Sequence, residues 1–329
     1  LLLLLLLLLL LLLLLLLQGK AIRGGIPVIW PQFSDIGSLP RHGFVRTALW
    51  SIVSESEKDD PFTSSSSSSG VPSTPSSSSV TLRLNTWDVV SSSVWPHRTS
   101  IFYTVTVGKD QEGRAFLRTE LKCCNAKDEG EQNHLAEFSA ALHTYFTINR
   151  IEETGILGLV REGEEAVDYI DNLDGRKTKR DTDRVCRFPG EVDRIYLQPG
   201  PTFHILQDLP SISSSSCSSS FSTPTSVAAS SSSVRVELNA GFGDLVVWNP
   251  AEEKGNSMGD LPHDGYKEFV CLEAAQVYPK VQLDNQDKRE WVGVMTIVAP
   301  FRDESGSEDA EDAGGSARAL ESTQTSSAL

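Results

Sequence analysis

EFSAALHTYFTI, residues 137–148, shows the clearest alternation of side chains in the sequence. A period of two is that of a β-strand, whose successive side chains point to opposite faces. One face carries Phe138, Ala140, Leu142, Thr144 and Phe146. His143 falls on the other face, among small and hydroxyl-bearing neighbours. The pattern predicts a strand and leaves open whether His143 lies on the floor of a groove or on a solvated face of the sheet.

Other strand-like runs lie on both sides of this stretch, and turn-forming residues separate them. They are rich in β-branched and aromatic residues, and they include residues 80–84, 101–107, 115–121, 234–238, 245–248 and 291–298. Such runs favour sequential antiparallel strands. No stretch of good length keeps a helical period. We therefore predict an all-β domain of many strands, in a sandwich or barrel.

A second informative stretch is MGDLPHDGYKEFVCLEAAQV, residues 258–277. Its first part is dense in turn formers, and residues 269–277 are apolar on both alternating faces, which is typical of a strand buried on two sides. Glu273 lies within this run. A carboxylate in such a place must be satisfied or used, so Glu273 is a candidate general base. The alternative is a residue at a strand end in contact with water, and this window alone does not decide between the two.

Composition divides the chain into one globular part and several segments of biased sequence. Residues 1–17 are all leucine, and we interpret them as a non-globular repeat tract or a wrongly assigned start, because no basic region or cleavage site accompanies them. Residues 61–79 and 211–233 are rich in serine and are predicted to be insertions in surface loops. Residues 303–329 are predicted to be a disordered acidic tail. The remaining residues, within 18–302, are predicted to form a single β domain.

Charge and motif content exclude several classes of function. The formal net charge is −15 and no basic patch is present, so nucleic acid is not an expected partner. The five cysteines match neither a zinc spacing nor a disulfide framework, which favours a reducing compartment. The chain has one candidate His, one candidate Glu and several Arg, but no phosphate loop, nucleophile elbow or metal-ligand pattern. This set points to proton transfer on an anionic small molecule.

Six sequence blocks carry a resemblance to a known family. In chain order they are AIRGGIPVIWPQF, LPRHGFVR, ALHTYF, GEVDRIY, VVWNP and GDLPHDGYKEFVCLEAAQV. Together they resemble the aldose 1-epimerase family, in particular its hexose-6-phosphate mutarotase branch, from about residue 20 to residue 300. The resemblance implies a galactose-mutarotase-like β-sandwich, or supersandwich. It also implies interconversion of the α and β anomers of a hexose 6-phosphate, such as glucose 6-phosphate, without a cofactor or metal.

The resemblance assigns roles by position. His143 is expected to protonate the ring oxygen as general acid, and Glu273 to take the proton of the anomeric hydroxyl as general base. Arg23 and Arg46 are expected to hold the phosphate, and Asp193 to bind hydroxyl groups of the sugar. We expect the acid and the base to face one groove, far enough apart to flank the anomeric centre.

Departures from the family pattern qualify these expectations. Arg41 stands where the family usually has Gln, which alters a substrate contact and adds positive charge near the phosphate site. Ala251 stands where many members have an aromatic residue. Family members also have several strands before the first block, so the sandwich is expected to lack its first strands, leaving a sheet edge unpaired or a core face exposed.

Two other functions remain open from the sequence. One is an epimerase for neutral aldoses, in which the arginines are incidental. The other is a carbohydrate-binding sandwich without catalysis, although a binder needs no acid and base pair. We further expect a monomer in the cytoplasm that does not associate with a membrane.

Overall fold

The computed structural model describes residues 22–59, 76–125, 135–211, 233–284 and 289–300. The described residues form 17 strands, several short 3-10 helices and one α-helix. The strands are β1 (Val28–Ile29), β2 (Ser51–Asp59), β3 (Ser76–Asn85), β4 (Thr99–Lys109), β5 (Ala115–Asn125), β6 (Ala136–Leu142), β7 (Tyr145–Thr147), β8 (Gly155–Leu157), β9 (Val167–Asp171), β10 (Lys177–Asp181), β11 (Val185–Arg187), β12 (Val192–Leu197), β13 (Thr202–Leu206), β14 (Val234–Ala240), β15 (Asp244–Asn249), β16 (Phe269–Leu283) and β17 (Glu290–Val298). The helix α1 spans Ala251–Ser257.

Two sheets organise these strands, and every described strand pairing is antiparallel. The eight-stranded sheet has the order β1-β6-β16-β15-β12-β9-β10, with β7 also paired to β16. The nine-stranded sheet has the order β11-β8-β13-β14-β17-β5-β4-β3-β2. The predicted all-β sandwich is therefore confirmed. Within the described ranges, no helix has the length and apolar character needed to cross a membrane.

The predicted strands are present, except that the strand predicted over residues 137–148 is divided at His143 and Thr144 into β6 and β7. Several polar strands were not predicted. β10 reads KTKRD and is mostly exposed at the edge of its sheet, so it carries no apolar alternation. The last residues of the serine-rich segment at 61–79 belong to a strand and not to a loop, because β3 begins at Ser76 and its serines pair with β4. Backbone pairing needs no apolar side chain, so a run of serines can form a strand without the apolar alternation by which strands are predicted. The leucine tract, most of both serine-rich segments and the acidic tail lie outside the described residues, so the expectations for these segments are not tested.

The alternation in residues 137–148 divides the side chains between two environments, as predicted. Phe138, Ala140 and Leu142 belong to the main core between the sheets. The Phe138 ring packs 5.5 Å from the Trp30 ring and 5.9 Å from the Trp291 ring of β17, measured between ring centroids. Ala141 points to the opposite face of the eight-stranded sheet, where it joins a second apolar cluster. This opposite face is the one available for a site.

A loop after β1 covers part of that outer face. The backbone N–H of Phe33 donates to the Ser139 hydroxyl at 2.7 Å, and the N–H of Ser139 donates to the Pro31 carbonyl at 2.9 Å. Phe33 packs in the same cluster as Ala141. The buried amide of Gln32 closes the turn by accepting from Leu39 N–H at 3.0 Å. These bonds hold the loop, and the residues that follow it, against β6.

Gly43 fixes the second half of this loop. It forms an isolated bridge with Trp30, and its φ is +70°, in the left-handed region. A Cβ at this position would lie 2.1 Å from the Trp30 carbonyl oxygen. Only glycine permits both the backbone conformation and the close approach. The segment that contains Arg41 and Arg46 is therefore held in place by a backbone contact that only glycine permits.

We predict that Gly43→Ala destabilises the protein more than Gly113→Ala. Gly113 has a φ of +80°, and a Cβ added there would meet no atom within 4 Å, so alanine costs only the left-handed backbone, roughly 1–2 kcal/mol. Gly43→Ala adds a clash with the Trp30 carbonyl, about 1–3 kcal/mol more. Urea unfolding of both variants measures the difference. Equal losses would show that the approach of Gly43 to Trp30 is not a constraint.

Candidate active site

The strand register places His143 and Glu273 opposite each other. Ala274 of β16 pairs with Leu142 of β6, and Cys271 pairs with Tyr145 of β7. Both registers put residue 273 across from residue 143. Because Leu142 and Ala274 point into the core between the sheets, the next residues point to the outer face. Directly opposed residues of an antiparallel pair lie close enough for their side chains to interact.

The two side chains are in contact and nearly excluded from water. His143 Nε2 lies 3.4 Å from Glu273 Oε1, and the side chains are 12% and 2% exposed. The alternative that Glu273 touches water at a strand end is therefore wrong, because β16 continues for ten residues to Leu283. The two groups do face one groove, but the expected wide separation is also wrong. The ring oxygen and the anomeric oxygen of a sugar are bonded to the same carbon, so neighbouring groups suit them.

Burial shifts the pKa of both groups toward their neutral forms. The pKa of Glu273 is raised well above its usual range by burial and then by the charge of Asp193. The pKa of His143 is lowered to about 3, first by burial and further by the positive charges of Arg46, Arg23 and Arg41. A buried acid and a buried base in contact then share one proton, which is carried by either the carboxyl or the imidazole.

Two atoms of the pair have no hydrogen-bond partner among the described residues. They are His143 Nδ1 and Glu273 Oε2, and both are buried. Buried polar atoms are normally satisfied, and exceptions indicate a functional role. The arrangement leaves hydrogen-bonding capacity available in the pocket next to an acid and base pair.

Aromatic rings hold the imidazole of His143. The Tyr145 ring stacks on it, with centroids 4.8 Å apart and an angle of 8° between the planes. The Trp248 ring meets it edge-on at 5.8 Å. The backbone N–H groups of His143 and Tyr145 donate to the carbonyls of Pro27 and Gly25, each at 3.0 Å. The imidazole is thus fixed in orientation by ring contacts and by the chain segment that carries Arg23.

Three arginines supply positive charge to the pocket. Arg23 Nε donates to Asp260 Oδ2 at 2.7 Å. Burial opposes the charge of Arg23, but this bond and Tyr145 outweigh it and raise its pKa. Arg46 Nη2 donates to the Arg41 carbonyl at 2.9 Å, and no described acid forms an ion pair with either of these two arginines. The three arginines, which we call the arginine wall of the pocket, therefore carry more positive charge than the described acids neutralise. Such a wall suits an anionic ligand.

His42 is a neutral hydrogen-bond donor beside the pair. Its Nδ1 accepts from the backbone N–H of Ser34 at 3.3 Å, which places the proton on Nε2. Burial, followed by the charge of Arg46, lowers its pKa to about 2, so the ring stays neutral. Its ring centroid is 5.8 Å from that of His143.

Asp193 lies on β12 and approaches the site from the far side of β15. It accepts a hydrogen bond from Asn172 Nδ2 at 2.7 Å, and burial raises its pKa. The other amide atom, Asn172 Oδ1, is buried without a described partner. The two side chains together offer acceptor oxygens, which suit sugar hydroxyl groups.

One cavity of about 380 Å³ unites these residues. All six residues singled out from the sequence line it: Arg23, Arg41, Arg46, His143, Asp193 and Glu273. Sequence reasoning did not single out His42, Tyr145, Trp248, Lys254 or Asp260, which line it as well. Tyr145 shares a face with His143, and the others fall in or beside the six blocks, so a signal existed for most of them. Within the described ranges, no three His, Cys, Asp or Glu side chains are placed to hold a metal ion.

Comparisons with known proteins identify the family of the chain. The family model for aldose 1-epimerase matches residues 15–296. A protein of Cenchrus ciliaris provisionally named glucose-6-phosphate 1-epimerase is 28% identical over 85% of this chain and 71% of its own length. A protein of Escherichia coli (strain K12) with the same provisional name is 31% identical over 78% of this chain and 68% of its own length.

Solved structures show the same fold. The provisionally named mutarotase YeaD of Salmonella typhimurium matches with a TM-score of 0.60 at 24% identity, over 85% of this chain and 76% of that chain. HI1317 matches with a TM-score of 0.52 at 19% identity, over 85% of this chain and 75% of that chain. The resemblance seen in the six sequence blocks is thus confirmed, and the chain belongs to the aldose 1-epimerase family.

Proposed function

We propose that the protein interconverts the α and β anomers of a hexose 6-phosphate, with glucose 6-phosphate as the first substrate to test. The observation that carries the proposal is the contact of 3.4 Å between His143 and Glu273 in a pocket whose wall holds three arginines. The provisional names of the relatives support the choice of sugar. Anomer interconversion is the activity for which the family is named.

The mechanism assigns one proton transfer to each member of the pair. His143 donates a proton to the ring oxygen while Glu273 removes the proton of the anomeric hydroxyl, and the bond between C1 and the ring oxygen breaks. The open aldehyde turns about its C1–C2 bond. Reclosure from the other face reverses both transfers, so the pair ends with the same single proton. His42 donates to a sugar oxygen and orients it.

Burial makes each group better at its proposed task. An acid whose pKa is lowered gives up a proton more readily, and a base whose pKa is raised accepts one more readily. His143 and Glu273 are shifted in these directions. The cost is that the reactive ion-pair form is less populated than the neutral form.

The arginines are proposed to hold the phosphate, and Asp193 to bind the hydroxyls. Arg46 and Arg41 have no described acidic partner, so the phosphate binds them without displacing a carboxylate. Arg41 adds a third positive charge beside Arg23 and Arg46. The proposal also includes a monomeric, cytoplasmic enzyme; the four described cysteines are free thiols, as is usual in a reducing compartment.

We predict that Arg46→Ala weakens the use of glucose 6-phosphate far more than the use of free glucose. A charge-assisted hydrogen bond to phosphate contributes about 1.5–3 kcal/mol, or roughly ten- to a hundredfold in kcat/KM. NMR exchange between anomers measures both substrates, and Arg83→Ala, at an exposed position outside the pocket, is the control. Equal losses on both sugars would favour an epimerase for neutral aldoses.

We predict that Glu273→Gln reduces anomer exchange of glucose 6-phosphate to near the spontaneous rate while sugar binding is kept. Glutamine preserves shape and hydrogen bonding but cannot accept the proton, and general base catalysis contributes about a hundred- to ten-thousandfold. NMR exchange gives the rate, and calorimetry gives the affinity. A wild-type protein that binds the sugar phosphate without accelerating exchange would instead be a carbohydrate-binding module.

We also predict that Glu273→Gln makes the protein more stable at neutral pH. Burial raises the pKa of Glu273, so its contribution to stability is present below the pKa of the unfolded chain and is lost as the pH rises through the folded value. Glutamine does not titrate and avoids this loss, for a gain of about 0.5–2 kcal/mol. Urea unfolding should show a gain that disappears on acidification. Glu162→Gln, at an exposed position, is the control; a loss of stability at neutral pH would mean that Glu273 is structural.

A further inference from the structure

Charged and titratable groups reach the pair from every side of the pocket. The segment before β1 brings Arg23, the loop at 39–46 brings three groups, and β7, β12, α1 and the turn after α1 bring one each. These groups are Arg23, Arg41, His42, Arg46, Tyr145, Asp193, Lys254 and Asp260. Asp260 pairs with Arg23, and Glu191 pairs with Lys254. Arg41 and Arg46 form no ion pair with a described acid, although the charge of Arg41 acts on Asp35 and Asp193.

These charges act on the two ends of the pair unequally. The three arginines oppose protonation of His143, with Arg46 the strongest of them. The charge that acts on Glu273 is that of Asp193. Charges of opposite sign therefore act on the two groups, although all of them line the same cavity and Arg41 acts on Asp193 as well. Both fields favour the same arrangement, in which the proton is on Oε1 of Glu273 and Nε2 of His143 is bare.

The neutral arrangement is not the one that opens the ring by the proposed mechanism. His143 must hold the proton to act as acid, and Glu273 must have lost it to act as base. Moving one proton from Glu273 Oε1 to His143 Nε2, across their contact of 3.4 Å, converts one form into the other without a change in total charge. A dianion placed against the arginines cancels the field that opposes this transfer.

We propose that an anion bound by Arg23, Arg41 and Arg46 drives the shared proton from Glu273 to His143, so that the phosphate of the substrate switches the pair into its reactive form. The inference rests on the proposed function and deepens it. The phosphate then promotes ring opening in addition to contributing to substrate binding. A neutral hexose that enters the same cavity meets a pair in the wrong protonation state, so selectivity arises in the rate as well as in affinity.

The test separates the anion from the sugar. Exchange between the anomers of free glucose is followed by NMR with the full chain, with and without sodium phosphite, a dianion that carries no sugar. Ionic strength is held constant with chloride, and the phosphite effect without protein is subtracted. A change of one pKa unit alters the ion-pair population about tenfold, so we expect phosphite to accelerate the protein-catalysed exchange by about tenfold or more.

A matched pair of variants checks that the acceleration by phosphite depends on the arginines of the pocket. Arg46→Met removes the charge that acts most strongly on His143 and is expected to abolish the phosphite response. Arg83→Met, at an exposed position on β3, is expected to keep it. Because a variant can lose its fold for other reasons, a second measurement uses the unmodified protein. Nitrogen-15 NMR of the His143 ring is expected to change from the neutral to the protonated pattern when phosphite is added.

The outcomes distinguish this inference from the proposed function. If phosphite competes with glucose 6-phosphate but neither accelerates glucose exchange nor protonates His143, the arginines contribute to binding alone and the inference is wrong. If phosphite neither competes nor accelerates, the arginines do not hold a dianion and the inference is also wrong. If the protein does not accelerate exchange of glucose 6-phosphate at all, it is the proposed function that fails.

Discussion

The antiparallel pairing of β16 with β6 and β7 is the constraint on which the rest of the site depends. Its register sets Ala274 against Leu142 and Cys271 against Tyr145, so residues 273 and 143 are opposed between them. Since successive side chains alternate, a slip of one residue would send Glu273 into the core between the sheets. The apolar neighbours of Glu273, Leu272 and Ala274, are fully buried there and resist such a slip.

The same pairing explains why an acid and a base can be buried together. An isolated ionised carboxylate on the floor of a pocket costs several kcal/mol or takes up a proton. A neighbouring imidazole offers a place for that proton at no change in total charge. Under the proposed function, His143 makes a buried Glu273 tolerable, and the remaining cost in stability is of the kind common in active sites.

Local patterns in the sequence predicted most of the strands and singled out His143 and Glu273 as candidates, but they did not predict the distance between them. The alternation around His143 predicted β6 and β7 as a single strand, and the apolar run around Glu273 predicted β16. Their direct contact depends on a register between residues 130 positions apart, which no local pattern contains. His42 was missed because it lies in a loop with a φ of +67° and has no periodicity to mark it. β10 was missed because an exposed edge strand needs no apolar face.

The arginines of the pocket and the pair of His143 and Glu273 come from different parts of the chain. All three arginines precede residue 47, whereas Asp193 and Glu273 lie in strands of the eight-stranded sheet and His143 lies between its strands β6 and β7. The segment with Arg23 joins that sheet through the Gly25 and Pro27 carbonyls, which accept from the N–H groups of Tyr145 and His143. Those two amide hydrogens are consequently local probes of site assembly. If the segment detaches while the sheets stay paired, these two amide hydrogens exchange with solvent, and their exchange rate reports how often the segment that carries Arg23 separates from His143.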